Sequence, residues 1–274
     1  MHDLLNSASP MRLKKCRRGH MLYSMNDATI GRLFDLYGEF SEGEVTLLEK
    51  LIRPGDTVIE VGANIGALTV PMARFVGAAG NIVAFEPQRV LFQNLCANIA
   101  LNGFTHVRAQ NMAVGTDGGS VVLPKIDYAQ PGIFGGHSIE GATDGETVPL
   151  VALDQFIKTN KCRLMKIDVE GMEEDVIRGA SDLITRLQPF LYVENDRQEK
   201  SESLISTIQG FGYTLYWHLP PLCRMDNYFG QQLTLFPNTL SMNMLCVPPQ
   251  ATVTGMENMR ISSPQDWWKD FVGR

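Results

Sequence analysis

The chain lacks any apolar run near the roughly 20 residues that a membrane span needs. Its opening residues (MHDLLNSASP) hold no apolar core of the kind a secretion signal carries. Cysteine is scarce, with five in 274 residues, widely spaced and without a CxxC. An odd, scattered set argues against a disulfide frame or a zinc site and suits reduced thiols. A basic surplus is missing as well. The net charge is −6, which opposes the positive footprint of a dedicated nucleic-acid binder. The one exception, residues 12–18 (RLKKCRR), reads as a solvated N-terminal arm. These absences lead us to expect a cytoplasmic protein with no membrane span and no nucleic-acid partner. Two nucleotide motifs are also missing. There is no GxGxxG to cradle a pyrophosphate and no GxxxxGK[ST] P-loop.

What is present is an ordinary globular balance, 44% hydrophobic and 20% charged, long enough to bury a core without staples. The middle of the chain alternates strand-like and helix-like segments, the pattern of a parallel sheet covered by helices. Strands are expected at residues 57–61, 81–85, 107–112, 164–167, 190–193 and 214–217, with short ones at 120–123, 148–150 and 245–247. Helices are expected at 42–51, 66–76, 87–102, 173–185 and 201–210, with a short one capped by Asp154. Residues 124–146, rich in glycine and polar side chains, read as a long loop. The expected division is an N-terminal extension (1–40), a main domain (41–250) and a tail helix (251–274). The fold class is therefore α/β, Rossmann-like, with a mostly parallel sheet and helices on both faces.

The donor-type signal is residues 58–66, VIEVGANIG. An apolar strand ends in an acid, turns through glycines and enters a helix. Glycine allows the tight turn and the close backbone approach. Ligands of open α/β sheets sit beyond the carboxyl ends of the strands. The spacing is Gly62-x-x-x-Gly66 with Glu60 ahead of it, and an acid there suits a cationic ligand better than a diphosphate. S-adenosylmethionine carries a sulfonium and an ammonium and no phosphate. Glu86 ends the second strand, where an acid can take both ribose hydroxyls. Glu60, Gly62, Asn64, Gly66 and Glu86 are thus expected to hold the donor. Residues 111–114, Ala113 among them, are expected beside the adenine.

The runs VIEVGANIGALTV, VAFEPQRVLFQNLCANIALNG and LMKIDVEGMEEDVIRGA resemble the FkbM family of methyltransferases. The resemblance covers roughly residues 40–247, and residues 166–171 (KIDVEG) are its most specific part. WHLPP, Asn227-Tyr228 and SMNMLCVP resemble the C-terminal part of bacterial members. The resemblance implies a Rossmann-like class I methyltransferase fold and O-methylation, often of sugars or secondary metabolites. Glu60 stands where Asp is more usual, which preserves the charge.

The acceptor should lie beyond the fourth and fifth strands. Asp168 ends the fourth, where an acid has no packing reason to be, and is read as catalytic. Lys166 shares its strand face. Lys166 and His218 are the alternative general bases, although a lone histidine near aromatics is commonly a packed structural residue. Glu173 reads as a helix-start acid stabilised by the dipole, while Glu170 is open between that role and the site. Glu194 and Asn195 end the fifth strand. With Asp168 they offer three oxygen ligands, similar to metal-dependent catechol-type O-methyltransferases, suited to Mg2+ or another divalent cation. The competing reading has Glu194 and Asn195 orient a polyol by hydrogen bonds. His137 and Ser138, in the glycine-rich loop, are candidates for substrate contact from a lid. Trp217, Tyr228 and Phe229 either line the cleft or belong to the core. Trp267 and Trp268 either pack onto the body or form a homodimer contact. A dead acceptor site on a donor-binding protein and a nicotinamide oxidoreductase are the rival readings.

Overall fold

The computed structural model describes residues 9–136 and 143–272. Its N-terminal basic run is not a solvated arm. β1 (Met11–Cys16) and β2 (Gly19–Ser24) form an antiparallel hairpin. Its charges are answered within the fold: Lys14 by Asp35 at 2.7 Å, Arg17 by Glu39 at 2.6 Å and Arg18 by Glu42 at 2.7 Å. The partners lie on or beside α1 (Ile30–Tyr37) and α2 (Glu42–Leu51). A charge run read in isolation looks solvated because its counter-charges lie 20 or more residues away, beyond any local pattern.

The main sheet begins with β3 (Thr57–Val61), β4 (Asn81–Phe85) and β5 (Val107–Gln110). α3 (Thr69–Val76) and α4 (Arg89–Leu101) are the crossovers between them. The chain then forms a small side sheet from β6 (Ala113–Val114), β7 (Gly119–Pro124) and β8 (Gly145–Val151), ordered β6-β8-β7. It returns through the short α5 (Leu153–Phe156) to β9 (Leu164–Ile167), then α6 (Glu173–Arg178), α7 (Ser181–Leu187) and β10 (Phe190–Glu194). α8 (Gln198–Gly210), β11 (Thr214–His218) and β12 (Asn243–Val247) complete it. The strand order is β11-β12-β10-β9-β3-β4-β5. β12 runs antiparallel to both of its neighbours, and the pairs from β10 to β5 are parallel. This is the α/β class expected from the sequence.

Two apolar layers flank the sheet, because alternate side chains of each buried strand face opposite ways. Ile59, Val61, Met165, Ile167, Leu191 and Val193 pack against α6, α7 and α8. Val58, Leu164, Phe190, Tyr192 and Leu245 pack against α2, α3 and α4. Each fully buried aliphatic side chain is worth roughly 1.5–3 kcal/mol. The hairpin is tied to this second side by Asn98 of α4, whose amide exchanges hydrogen bonds with Leu22 (2.6 and 3.0 Å) and also donates to the Ile65 carbonyl at 2.8 Å.

Three local readings change. α3 starts at Thr69 and not at Gly66, since Gly66 holds a φ of +87° that no α-helix uses. The helix expected over 173–185 is two helices broken at Gly179-Ala180. A Cβ at Gly179 would come within 2.0 Å of the Gly115 carbonyl oxygen, so the break lets the side sheet dock there. The tail has no α-helix over 264–271. It forms 3-10 turns at Glu257–Met259 and Trp268–Phe271. No helix among the described residues is long and apolar enough to cross a membrane.

Candidate active site

The chain order reverses direction across the sheet between β3 and β9, so the ends of these strands leave a crevice. A cavity of about 250 Å³ opens there. Register explains its lining. Glu60, Lys166 and Tyr192 are direct partners across β3, β9 and β10 and share one face. Two residues further along each strand come Gly62, Asp168 and Glu194, again on that face. Glu60, Gly62, Lys166, Asp168 and Glu194 all line the cavity.

The donor-side loop is shaped by backbone demands. Gly62 has a φ of +84°, and a Cβ there would lie 1.7 Å from the Asp168 carbonyl oxygen. Asn64 is also left-handed, at +52°, and its own Oδ1 accepts the Ile65 N–H at 2.8 Å. Asn tolerates this conformation better than most residues because of such local bonds. Glu86 anchors the loop from β4. Its Oε2 accepts the Asn64 N–H at 2.8 Å and its Oε1 accepts the Gln88 N–H at 2.9 Å. Each oxygen keeps a lone pair for a ligand hydroxyl. Asn111 donates to the carbonyls of Glu86 and Pro87, fixing the turn. Ala113 lies in an adjoining cavity of about 60 Å³, with Phe85, Met112 and Glu86. Glu60 is fully buried. Its Oε2 accepts the Thr69 hydroxyl at 2.5 Å, and its Oε1 has no hydrogen-bond partner among the described residues. That orphaned oxygen fits a ligand cation such as the donor's ammonium.

Burial pushes both Glu60 and Glu86 up to about 7, against the pull of nearby Lys166. The folded state therefore holds protons that the unfolded chain releases near pH 4.5. The stabilisation is full below pH 4.5 and is lost as pH rises through about 7. The ligand-free protein should melt at a higher temperature at pH 5.5 than at pH 8. A cationic ligand that neutralises these carboxylates should shift melting more at pH 8. Thermal unfolding with and without S-adenosylmethionine at both values checks this; an equal shift at both would refute it.

On the acceptor side, oxygens of Asp168, Glu170 and Glu194 lie within 4.8 Å of one another. Lys166 donates to Asp168 Oδ2 at 2.9 Å, and Arg197 to Glu170 Oε2 at 2.6 Å. Burial and the neighbouring Asp168 hold Glu170 at about 7 and Glu194 well above the carboxylate range.

Four sequence expectations fail here. Lys166 is no base. Burial lowers its pKa, but Asp168, Glu60 and Glu44 more than offset this and hold it above its ordinary value. His218 does not line the cavity. Its Nδ1 is 2.9 Å from the Tyr192 hydroxyl, and burial lowers it to about 4, so it sits neutral behind Tyr192. Asn195 points away from Glu194, as strand alternation requires. It donates to Ser201 Oγ at 2.9 Å and packs on Met244. The oxygen set Asp168, Glu194, Asn195 is therefore not assembled. Trp217 is fully buried in the core, with Trp267 edge-on at 5.9 Å. Tyr228 and Phe229 pack on each other, outside the cavity. His137 and Ser138 lie outside the described residues.

The sequence reading missed Glu44 and Asp27, which also line the cavity. Glu44 had a signal, since it falls on the buried stripe of α2 with Val45, Leu48 and Leu51. It accepts the Ser41 hydroxyl at 2.6 Å. Asp27 accepts the Thr29 and Gly31 N–H groups at the start of α1. The described part of the glycine-rich loop also reaches the site. Gly132 exchanges backbone bonds with the segment around Asp27, and a Cβ at Gly135 would press on the Asn64 amide.

Strand order, antiparallel β12 and the glycine turn beyond β3 define the Rossmann-like class I methyltransferase fold. The methyltransferase FkbM domain matches residues 60–215, more than half of the chain. The protein belongs to the FkbM methyltransferase family. Methyltransferase 1 of Beauveria bassiana is 28% identical over 151 residues, covering 47% of this chain and 60% of that protein. Hexuronic acid methyltransferase AglP of Haloferax volcanii is 26% identical over 169 residues, covering 60% and 65%. These matches span under two thirds of either relative's length. An FkbM methyltransferase crystal structure from Methylobacillus flagellatus is 12% identical, covers 74% of this chain and 50% of that one, and has a TM-score of 0.47.

Proposed function

We propose that this chain transfers a methyl group from S-adenosylmethionine to a hydroxyl of a sugar, glycan precursor or secondary metabolite. The observation that carries the reading is the pair of buried carboxyls flanking the Gly62 turn. Glu86 has lone pairs free for ribose hydroxyls, and Glu60 has an orphaned oxygen for a cation. When bound, S-adenosylmethionine supplies an electrophilic methyl on a sulfonium. Glu60, Asn64 and Glu86 hold the donor, and Ala113 borders the adenine. Asp168, fixed by Lys166, faces the acceptor half with Glu194. Holding donor and acceptor in line is itself worth several powers of ten in rate. The AglP relative, named for a hexuronic acid, supports a carbohydrate acceptor.

The acceptor is a small molecule, not a nucleic acid, since Lys14, Arg17 and Arg18 of the basic hairpin are each paired with an acid of the same chain. We further propose that no divalent cation is required, because Lys166 and Arg197 already neutralise two of the three clustered carboxylates. The test is S-adenosylhomocysteine release by EDTA-treated enzyme with UDP-glucose, UDP-glucuronic acid and methyl α-glucoside as probes. Donor affinity, read by calorimetry, should weaken roughly 10- to 100-fold in Glu86→Gln, the loss of hydrogen bonds to a charged group. Absence of donor binding by the native protein would end the reading. An absolute need for added magnesium would return Asp168, Glu170 and Glu194 as ligands.

A further inference from the structure

We propose that Glu194 is the group that takes the proton from the acceptor hydroxyl. The inference rests on the methyl-transfer reading above. It starts from where each cavity carboxyl is already committed. Glu86 holds two backbone N–H groups. Glu44 takes the Ser41 hydroxyl. Asp168 holds Lys166, and Glu170 holds Arg197. Glu60 holds Thr69 beneath the donor loop, on a strand two away from β10, which carries Glu194.

On the acceptor half Glu194 is placed differently. Among the described residues its buried Oε2 lacks a hydrogen-bond partner, as Glu60 Oε1 does on the donor half, and its carboxyl lies against that of Asp168 on the cavity wall. Its neighbours are named by element. β9 and the turn after it bring Lys166, Asp168 and Glu170, the turn after β10 brings Asp196 and Arg197, α2 brings Glu44 and β12 brings the neutral Asn243. Burial, and after it the neighbouring acids Asp168, Glu170 and Asp196, favour the protonated form of Glu194. A general base works best with a pKa near working pH, and an ordinary glutamate lies too low.

The step balances without any further reactant. The acceptor O–H bond breaks and its proton goes to a Glu194 carboxylate oxygen. The acceptor oxygen forms the new bond to the methyl carbon. The C–S bonding pair returns to sulfur, leaving a neutral thioether. Asp168, clamped by Lys166, serves as a positioning residue that accepts a second hydrogen bond.

The experiment compares native enzyme with Glu194→Gln and Glu194→Asp, using the best acceptor of the probe panel. We expect Glu194→Gln to lose about 10²- to 10⁴-fold in kcat. Donor affinity by calorimetry should stay within about threefold, since the lost interaction acts in the transition state. The rising limb of the native pH–rate profile, displaced above the ordinary glutamate range, should vanish. Glu194→Asp should keep part of the activity with a shifted limb, and this arm stands if the Gln variant folds poorly. Three results would overturn the proposal: kcat kept in Glu194→Gln, a rising limb unchanged in either variant, or donor affinity lost in parallel with kcat. Native enzyme that binds donor yet turns over no probe would remove the methyl-transfer reading itself.

Discussion

Gly62→Ala is expected to unfold the donor loop. The residue sits at a φ of +84°, where an L side chain costs roughly 1–2 kcal/mol. The larger effect is steric. The new Cβ would lie 1.7 Å from the Asp168 carbonyl oxygen, and that neighbour is backbone, which cannot swing aside. Relief requires parting the turns that follow β3 and β9, which also carry Asp168 and the loop bonded to Glu86. We expect a loss above about 3 kcal/mol, the range of strained and overpacked sites, and no measurable donor binding in what remains folded. Gly103→Ala is the control. Its φ is +70° and no atom lies within 4 Å of the added Cβ, so it should cost only about 1 kcal/mol of backbone strain. Urea unfolding of both variants decides, and similar losses would refute the steric account.

Lys166→Met should be the second large effect. The lysine is almost fully buried and serves Asp168 directly, with Glu60 and Glu44 in its field. Methionine fills the volume but leaves these acids without a cation. Removing one partner from a buried ion pair costs about 3–5 kcal/mol. At roughly 2–4 °C per kcal/mol for a chain near this size, melting should fall by around 10 °C at pH 8. The cost should shrink at pH 5.5, where Glu60 takes up a proton instead of holding a bare charge. Adding Glu60→Gln should recover part of the loss at pH 8, as expected for coupled neighbours. A penalty independent of pH and of Glu60 would show that packing alone is at stake.

Much of this fold was legible locally. The strands 57–61, 81–85 and 164–167 were placed to the residue, because buried parallel strands are short apolar runs bounded by turn residues. The hairpin at residues 11–24 was not read, since its sequence is basic and its support comes from Glu39, Glu42, Asp35 and Asn98 far along the chain. The turn after β3 was legible for the opposite reason. Gly62 and Asn64 answer a backbone requirement that is written in adjacent positions.

The sequence alone determined that a strand, a glycine turn and a helix follow one another over residues 57–76, and that KIDVEG spans the end of the fourth main-sheet strand. It did so because turns, caps and strand periods are short-range. Only the tertiary structure decided which acids share the cavity and which charges are already spent. Strand pairing set Lys166 between Glu60 and Tyr192, turned Asn195 away and left Glu194 Oε2 without a hydrogen-bond partner among the described residues. Those are consequences of register between distant strands, and the state of a buried charge depends on what register brings beside it.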